Sequence, residues 1–204
     1  MTREQAQSVH QWLVGMGSPP QIAWEEIYYL TDLASSQDLP PGHLLEVGSA
    51  WGGSTRLLAV ANRDRGRGER MVSVDPVSEY QDTFRTVSRA CALASVCRGE
   101  PPVHHWAGTA QDLEAVGMGR VFRMTFVDAW HDYEPVLLDL GSAARLTVHG
   151  GVICSHDMAH TNNPGAERAW QEVVSRGGIP DEDGIWVPEP GLVHSTGTLR
   201  WRAA

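Results

Sequence analysis

The 204-residue sequence predicts an α/β fold: a doubly wound, mostly parallel sheet with a terminal antiparallel strand and an N-terminal helical lead-in. Three observations predict it. From residue 43 onward, short apolar β-rich runs alternate with amphipathic helical stretches, the pattern of βα units joined by right-handed crossovers. Between the first such run and the first such helix lies Gly48-Ser49-Ala50-Trp51-Gly52-Gly53, a glycine turn that lets the backbone reverse and approach a ligand with no Cβ in the way. Near the C-terminus, two apolar runs are separated only by Pro188-Glu189-Pro190-Gly191, too close for a crossover, so they form a hairpin and add the antiparallel strand.

Residues 2–15 and 21–36 read as helices, broken by Ser18-Pro19-Pro20, with Trp12, Leu13, Ile22, Trp24, Ile27 and Tyr28 able to share an apolar side. Pro40-Pro41-Gly42 ends this lead-in, so residues 1–40 form a cap and residues 41–204 a ligand-binding domain. The alternation then runs strand 43–48, helix 53–63, strand 71–75, helix 79–97, strand 102–106 and helix 110–116. It continues with strand 121–128, helix 133–146, strand 151–155 and helix 164–177, closing with strands near 184–188 and 192–201, seven strands in all.

Composition narrows the ligand. A net charge of −9 argues against a large phosphate-binding surface, so no nucleic-acid partner is expected. No apolar run approaches the ~20 residues of a membrane span, and Met1-Thr2-Arg3-Glu4-Gln5 lacks a signal-peptide layout, so a cytoplasmic protein with no membrane partner is expected. Cys91, Cys97 and Cys154 form no C-x-x-C pair and read as reduced structural residues. The expected partners are a small-molecule hydroxylated substrate and a second copy of the chain in a homodimer.

In an open α/β sheet ligands sit outside the carboxyl ends of the strands, so the strand ends carry the candidates. The first ends Glu46-Val47-Gly48 and runs into Gly52, Gly53, Ser54 and Thr55. This is G-x-x-x-G-G, not the G-x-G-x-x-G of dinucleotide sites, and Ser49 occupies space that a diphosphate would need. The pattern Glu46-x-Gly48-x-x-x-Gly52 resembles motif I of the class I S-adenosylmethionine (SAM) methyltransferases. That resemblance implies the Rossmann-like methyltransferase fold and SAM as cofactor, with Glu46, Gly48, Ser49, Gly52 and Ser54 at the cofactor.

The second strand ends at Asp75, a carboxylate suited to accept both hydroxyl hydrogens of a ribose; the plain alternative is a helix cap. Gly108-Thr109-Ala110-Gln111-Asp112 is similar to a stretch along the adenine edge in catechol-type O-methyltransferases, which makes Ala110 and Gln111 implied adenine contacts. The fourth strand ends Phe126-Val127-Asp128-Ala129-Trp130-His131-Asp132-Tyr133. Asp128-x-x-His131-x-Tyr133 resembles a bacterial small-molecule subgroup that includes macrolide-sugar O-methyltransferases. It implies Asp128 at the cofactor and His131 where catechol-type members carry a basic lysine. Histidine suits that role because its reference pKa of ~6.5 lets it take a hydroxyl proton near neutral pH.

The fifth strand ends Ser155-His156-Asp157. Metal-dependent relatives place two adjacent oxygen ligands there, so Asp128, His156 and Asp157 are the implied ligands of a divalent metal. An imidazole in the set favours Mn, Fe, Co or Zn over Mg, or removes the metal altogether. Together these features imply a SAM-dependent, metal-assisted or metal-free transfer of methyl to a hydroxyl of a small metabolite. The rivals are a SAM-fold protein doing non-methylating chemistry, such as cyclisation or hydroxylation, or using the cofactor as a scaffold. A nicotinamide-dependent oxidoreductase is disfavoured by the glycine spacing and by the lack of Tyr-x-x-x-Lys.

Overall fold

A computed structural model describes residues 2–15, 20–76, 103–159 and 162–204. Two helices lead in, α1 (Arg3–Gly15) and α2 (Trp24–Ser35). The alternating part follows as β1 (His43–Val47), α3 (Gly53–Asp64), β2 (Met71–Val74), β3 (Val103–Trp106), α4 (Ala110–Ala115), β4 (Phe122–Val127), α5 (Tyr133–Leu146), β5 (Thr147–Ser155) and α6 (Pro164–Ser175). Three strands close the chain: β6 (Ile179–Asp181), β7 (Gly184–Pro188) and β8 (Gly197–Ala203). The helix expected over 79–97, with Cys91 and Cys97, lies outside the described residues, as do Ser18 and Pro19.

One eight-stranded sheet has the order β3-β2-β1-β4-β5-β8-β7-β6. β1 pairs parallel with β2 and β4, β2 with β3, and β4 with β5. The reversal of strand order between β1 and β4 opens a crevice at their carboxyl ends. On the far edge β8 runs antiparallel to β5, β7 to β8 and β6 to β7.

Two details differ from the expected seven strands. The antiparallel edge has three strands, because Ile179–Asp181 folds back on β7, and the expected strand over 192–201 begins only at Gly197, after a tight Val193–Thr196 turn. A three-residue strand containing Pro180 carries too short an alternation to be read from sequence. β5 also starts four residues before the expected 151, at Thr147, and its register against β4 jumps from Phe122↔Thr147 to Met124↔Val152. His149-Gly150-Gly151 is therefore an irregularity inside the strand and not the turn before it; a Cβ on Gly151 would lie 2.6 Å from the Arg123 carbonyl.

Both faces of the sheet are covered, which is why the central strands read as continuous apolar runs. Leu45, Val127, Ile153 and the apolar side of α5 and α6 form one core, and Leu44, Met124, Phe126 and Cys154 meet Leu30, Leu33 and Leu58 on the other face. The lead-in helices pack on α3 through Leu13, Ile27 and Leu57. Buried Arg123 on β4 fastens α2 to the sheet: Nη2 donates to the Ala34 carbonyl (2.6 Å) and the Asn62 Oδ1 (2.7 Å), and Nε donates to Glu69 (2.9 Å). No helix among the described residues is long and apolar enough to cross a membrane.

Candidate active site

The crevice is built by the turn after β1. Gly48 has φ +90°, and a Cβ there would lie 2.2 Å from the Asp128 carbonyl oxygen, so only glycine lets β1 and β4 end side by side. Gly52, at φ +80°, sits at the N-cap of α3 in the left-handed conformation. Asp75 at the end of β2 accepts from the Ser49 N–H (3.0 Å) and the Ala50 N–H (2.8 Å) through one carboxylate oxygen. Beside the ribose role expected of it, Asp75 thus fixes the turn.

A cavity of about 470 Å³ opens above the turn, with Gly48, Ser49, Ser54 and Asp75 on one side and Asp128, His131, His156 and Asp157 on the other. A smaller one of about 120 Å³, lined by Gly108, Thr109, Gln111 and Leu138, adjoins it across Ala129 and Trp130. The two together suit an elongated ligand whose flat end enters the smaller, largely apolar space.

Most expected cofactor residues line these cavities; Glu46, Gly52 and Ala110 do not. Glu46 is fully buried beneath the turn, accepting from the Thr55 hydroxyl and from Ser73 (3.2 Å); burial pushes its pKa up to about 7. It anchors the start of α3 and presents no full charge to a ligand, because a carboxyl so desolvated favours its neutral form. Ala110 points into the core, while its neighbour Gln111 does line the smaller cavity, donating to Asp139 (3.0 Å). Tyr133, part of the sequence motif, turns to α6 and donates to Glu172.

The titratable groups form a connected cluster. His131 Nε2 lies 2.9 Å from Asp157 Oδ2, with the ring half exposed to the cavity. That hydrogen bond raises the pKa of His131 above its usual value. The carboxylate in contact with His131 is not Asp128, three positions earlier in the chain, but Asp157, held at φ +64° at the end of β5. Burial alone would raise the carboxyl pKa of Asp157, but His131 and His156 outweigh it and hold it well below the usual carboxylate range. Burial raises that of Asp128.

His156 differs most from expectation. Its Nδ1 faces Asp128 Oδ1 at 3.1 Å and Asp157 Oδ1 at 3.4 Å, and its Nε2 faces Glu26 Oε2 at 3.2 Å. Burial would depress its pKa, but these three carboxylates push it up to about 12. The expected ligands Asp128, His156 and Asp157 all line the cavity. Among the described residues, the donor atoms of Asp128, His131 and Asp157 come within 4.8 Å of one another and are the ones that could hold a cation.

Sequence reasoning missed Glu26. This fully buried carboxylate of α2 lines the cavity, and its hydrogen bonds, chiefly with His156, bring its pKa down to about 2 against the upward pull of burial. Its partners His156, Ser195 and Thr196 lie 130, 169 and 170 positions away in the chain, and no local pattern could link them.

The comparisons fit this geometry. A family model described as a methyltransferase domain matches residues 45–158. Among solved structures, the chain is similar to the O-methyltransferase from Bacillus cereus in complex with S-adenosylhomocysteine (SAH), at 18% identity over 98% of this chain and 92% of that one, TM-score 0.67. It is similar to TomG, an O-methyltransferase from Streptomyces achromogenes involved in tomaymycin synthesis and in complex with SAM, at 17% identity over 98% and 91%, TM-score 0.63. It is also similar to the SAH-bound methyltransferase PaMTH1 of Podospora anserina, at 17% identity over 97% and 87%, TM-score 0.66. At such identities the likeness is one of fold. A search of curated protein sequences returns no match.

Proposed function

We infer the activity from the family and the site together: the chain belongs to the methyltransferase-domain family, and it transfers the methyl group of SAM to a hydroxyl of a small metabolite. The observation that carries this reading is the His131–Asp157 pair on the wall of the same cavity whose other wall is the glycine turn. The residues fit SAM: Gly48 and Ser49 line the larger cavity, Asp75 stands at the strand end where a ribose would be held, and the Gln111 cavity offers a slot for adenine. When bound, SAM supplies an electrophilic methyl on its sulfonium.

The chain's own residues then orient an acceptor and remove its proton. With Nε2–H of the neutral His131 donating to Asp157, the ring's lone pair is on Nδ1, where it takes the hydroxyl proton; Asp157 stabilises the imidazolium that results. Trp51 and Trp130 at the cavity wall limit water around the reacting oxygen. The acceptor is a free small molecule in this reading, with neither nucleic acid nor membrane engaged, and buried, unpaired Cys154 accords with a cytoplasmic setting.

Incubation with SAM and a panel of phenols, catechols and sugars tests the reading, since only a transferase accumulates SAH together with a methylated acceptor. SAM consumed without a methylated product would favour the non-methylating alternatives. Asp75→Ala is expected to weaken SAM binding by about 1.5–3 kcal/mol, roughly 10- to 100-fold in Kd, as hydrogen bonds to a charged acceptor are lost. Asp75→Asn, which retains an acceptor oxygen for the turn, should lose less. Calorimetry with unchanged affinity in both variants would remove Asp75 from the cofactor site.

The convergence of Asp128, His131 and Asp157 favours a second reading, in which these three would hold a divalent cation that would supply Lewis acidity toward the acceptor hydroxyl. His131 would then be a ligand and not the base. Turnover that survives excess chelator, with no metal found in the protein, is the outcome expected for the acid–base reading. Turnover that is abolished by chelator and restored by Mn, Fe or Co better than by Mg would assign His131 to a metal.

A further inference from the structure

We propose that Glu26 is a positioning residue for the transfer reaction, setting the acceptor half of the cavity through the His156 ring on one side and the Val193–Thr196 turn on the other. The proposal rests on the methyltransferase reading above. The Glu26 carboxylate comes from the lead-in helix α2, outside the βα units that carry the rest of the cluster, and collects five donors. Oε2 accepts from the Ala23 N–H (2.9 Å) and faces His156 Nε2 (3.2 Å). Oε1 accepts from the Ser195 N–H (3.1 Å), the Ser195 hydroxyl (2.8 Å) and the Thr196 hydroxyl (2.8 Å).

Through His156, whose Nδ1 is 3.1 Å from Asp128 and 3.4 Å from Asp157, the carboxylate reaches the group that orients His131. Through Ser195 and Thr196 it seats the turn that carries His194, a cavity-lining residue in the left-handed conformation at φ +55°. Two more contacts tie these parts together: the Met158 N–H donates to the Ser195 carbonyl (2.8 Å), and the Tyr29 hydroxyl pairs with Thr198 (2.8 Å). A shift of the Glu26 carboxylate therefore moves the ring beside the catalytic pair and the acceptor-side wall at once. A buried charge is a poor source of net stability, so a carboxylate kept here points to placement of its partners. Glutamine is a poor substitute: its amide NH₂ would face either the Ala23 N–H or the Ser195 N–H, neither of which can become an acceptor.

The test compares Glu26→Gln and Thr196→Val with the wild type. Calorimetry with SAH, kinetics on the panel acceptor that gives the most SAH, and the side-chain ¹⁵N resonances of His156 are measured. Misplacement of a reacting geometry by an ångström costs on the order of 10²-fold. Glu26→Gln is therefore expected to lower kcat by roughly 30- to 100-fold and shift the His156 resonances while SAH affinity stays within about threefold. Thr196→Val, which removes one donor to Oε1 and leaves the His156 side of the carboxylate in place, should raise the acceptor KM by roughly 3- to 10-fold with kcat within about twofold. A folded Glu26→Gln protein with kcat and KM within about twofold of wild type, or with unmoved His156 resonances, overturns the proposal. Should Glu26→Gln not fold, an unchanged acceptor KM in Thr196→Val overturns it. A wild type that neither binds SAH nor forms it refutes the methyltransferase reading instead, and the His156 resonances alone then decide the role of Glu26.

Discussion

Replacing His131 by alanine is expected to lower kcat by about 10²–10⁴-fold while leaving SAM affinity largely intact, because general-base catalysis contributes in that range and the ring is paired with Asp157 on the cavity wall opposite the glycine turn. The pH profile adds the sign. A base works when deprotonated, and Asp157 stabilises the protonated ring and raises its pKa. The wild-type rate should therefore climb with pH through an apparent pKa above the unperturbed ~6.5, and His131→Ala should lose that limb. Asp157→Asn should move the limb back toward acid and reduce kcat, because the neutral amide holds the imidazolium less well. The loss in His131→Ala should be larger for aliphatic hydroxyls than for phenols, which ionise with less help. An alanine variant with nearly full kcat and an unchanged profile would reduce His131 to a loop residue.

Gly48→Ala is expected to disrupt fold and cofactor site together. A Cβ at this position would stand 2.2 Å from the Asp128 carbonyl oxygen and 2.5 Å from the Ala129 Cα, both backbone atoms that no side-chain rotation can relieve. The left-handed φ of +90° adds strain of its own, on the order of 1–2 kcal/mol. Forcing the ends of β1 and β4 apart brings the total to roughly 3–5 kcal/mol. Urea unfolding should show this loss, and SAH titration should show binding reduced beyond detection even where the variant remains folded. Gly117→Ala is the control: Gly117 has φ +82° but nothing within 4 Å of the added Cβ, so only the backbone strain should be paid. Equal losses in the two variants would show that close packing at Gly48 matters little.

The sequence by itself determined the βα alternation, the place of the glycine turn, and the fact that Asp75, Asp128, His131 and Asp157 stand at strand ends on one edge. These follow from short-range rules: apolar period, glycine at positive φ, and the constraint that parallel strands present their carboxyl ends together. The tertiary structure decided what no spacing encodes. It buried Glu46 under the turn it was expected to serve, because Thr55 and Ser73 close over it. Asp157, and not Asp128, met His131, since the left-handed backbone at Asp157 aims its carboxylate across the strand end. The His156 ring was placed between Glu26 on one side and Asp128 and Asp157 on the other. Above all, Glu26 came into the site from 130 residues before His156. Which carboxylate faces which imidazole depends on how helices and turns distant in sequence pack around the crevice. A hydrogen bond between such segments leaves no periodic trace in the chain, so only the packed fold discloses it.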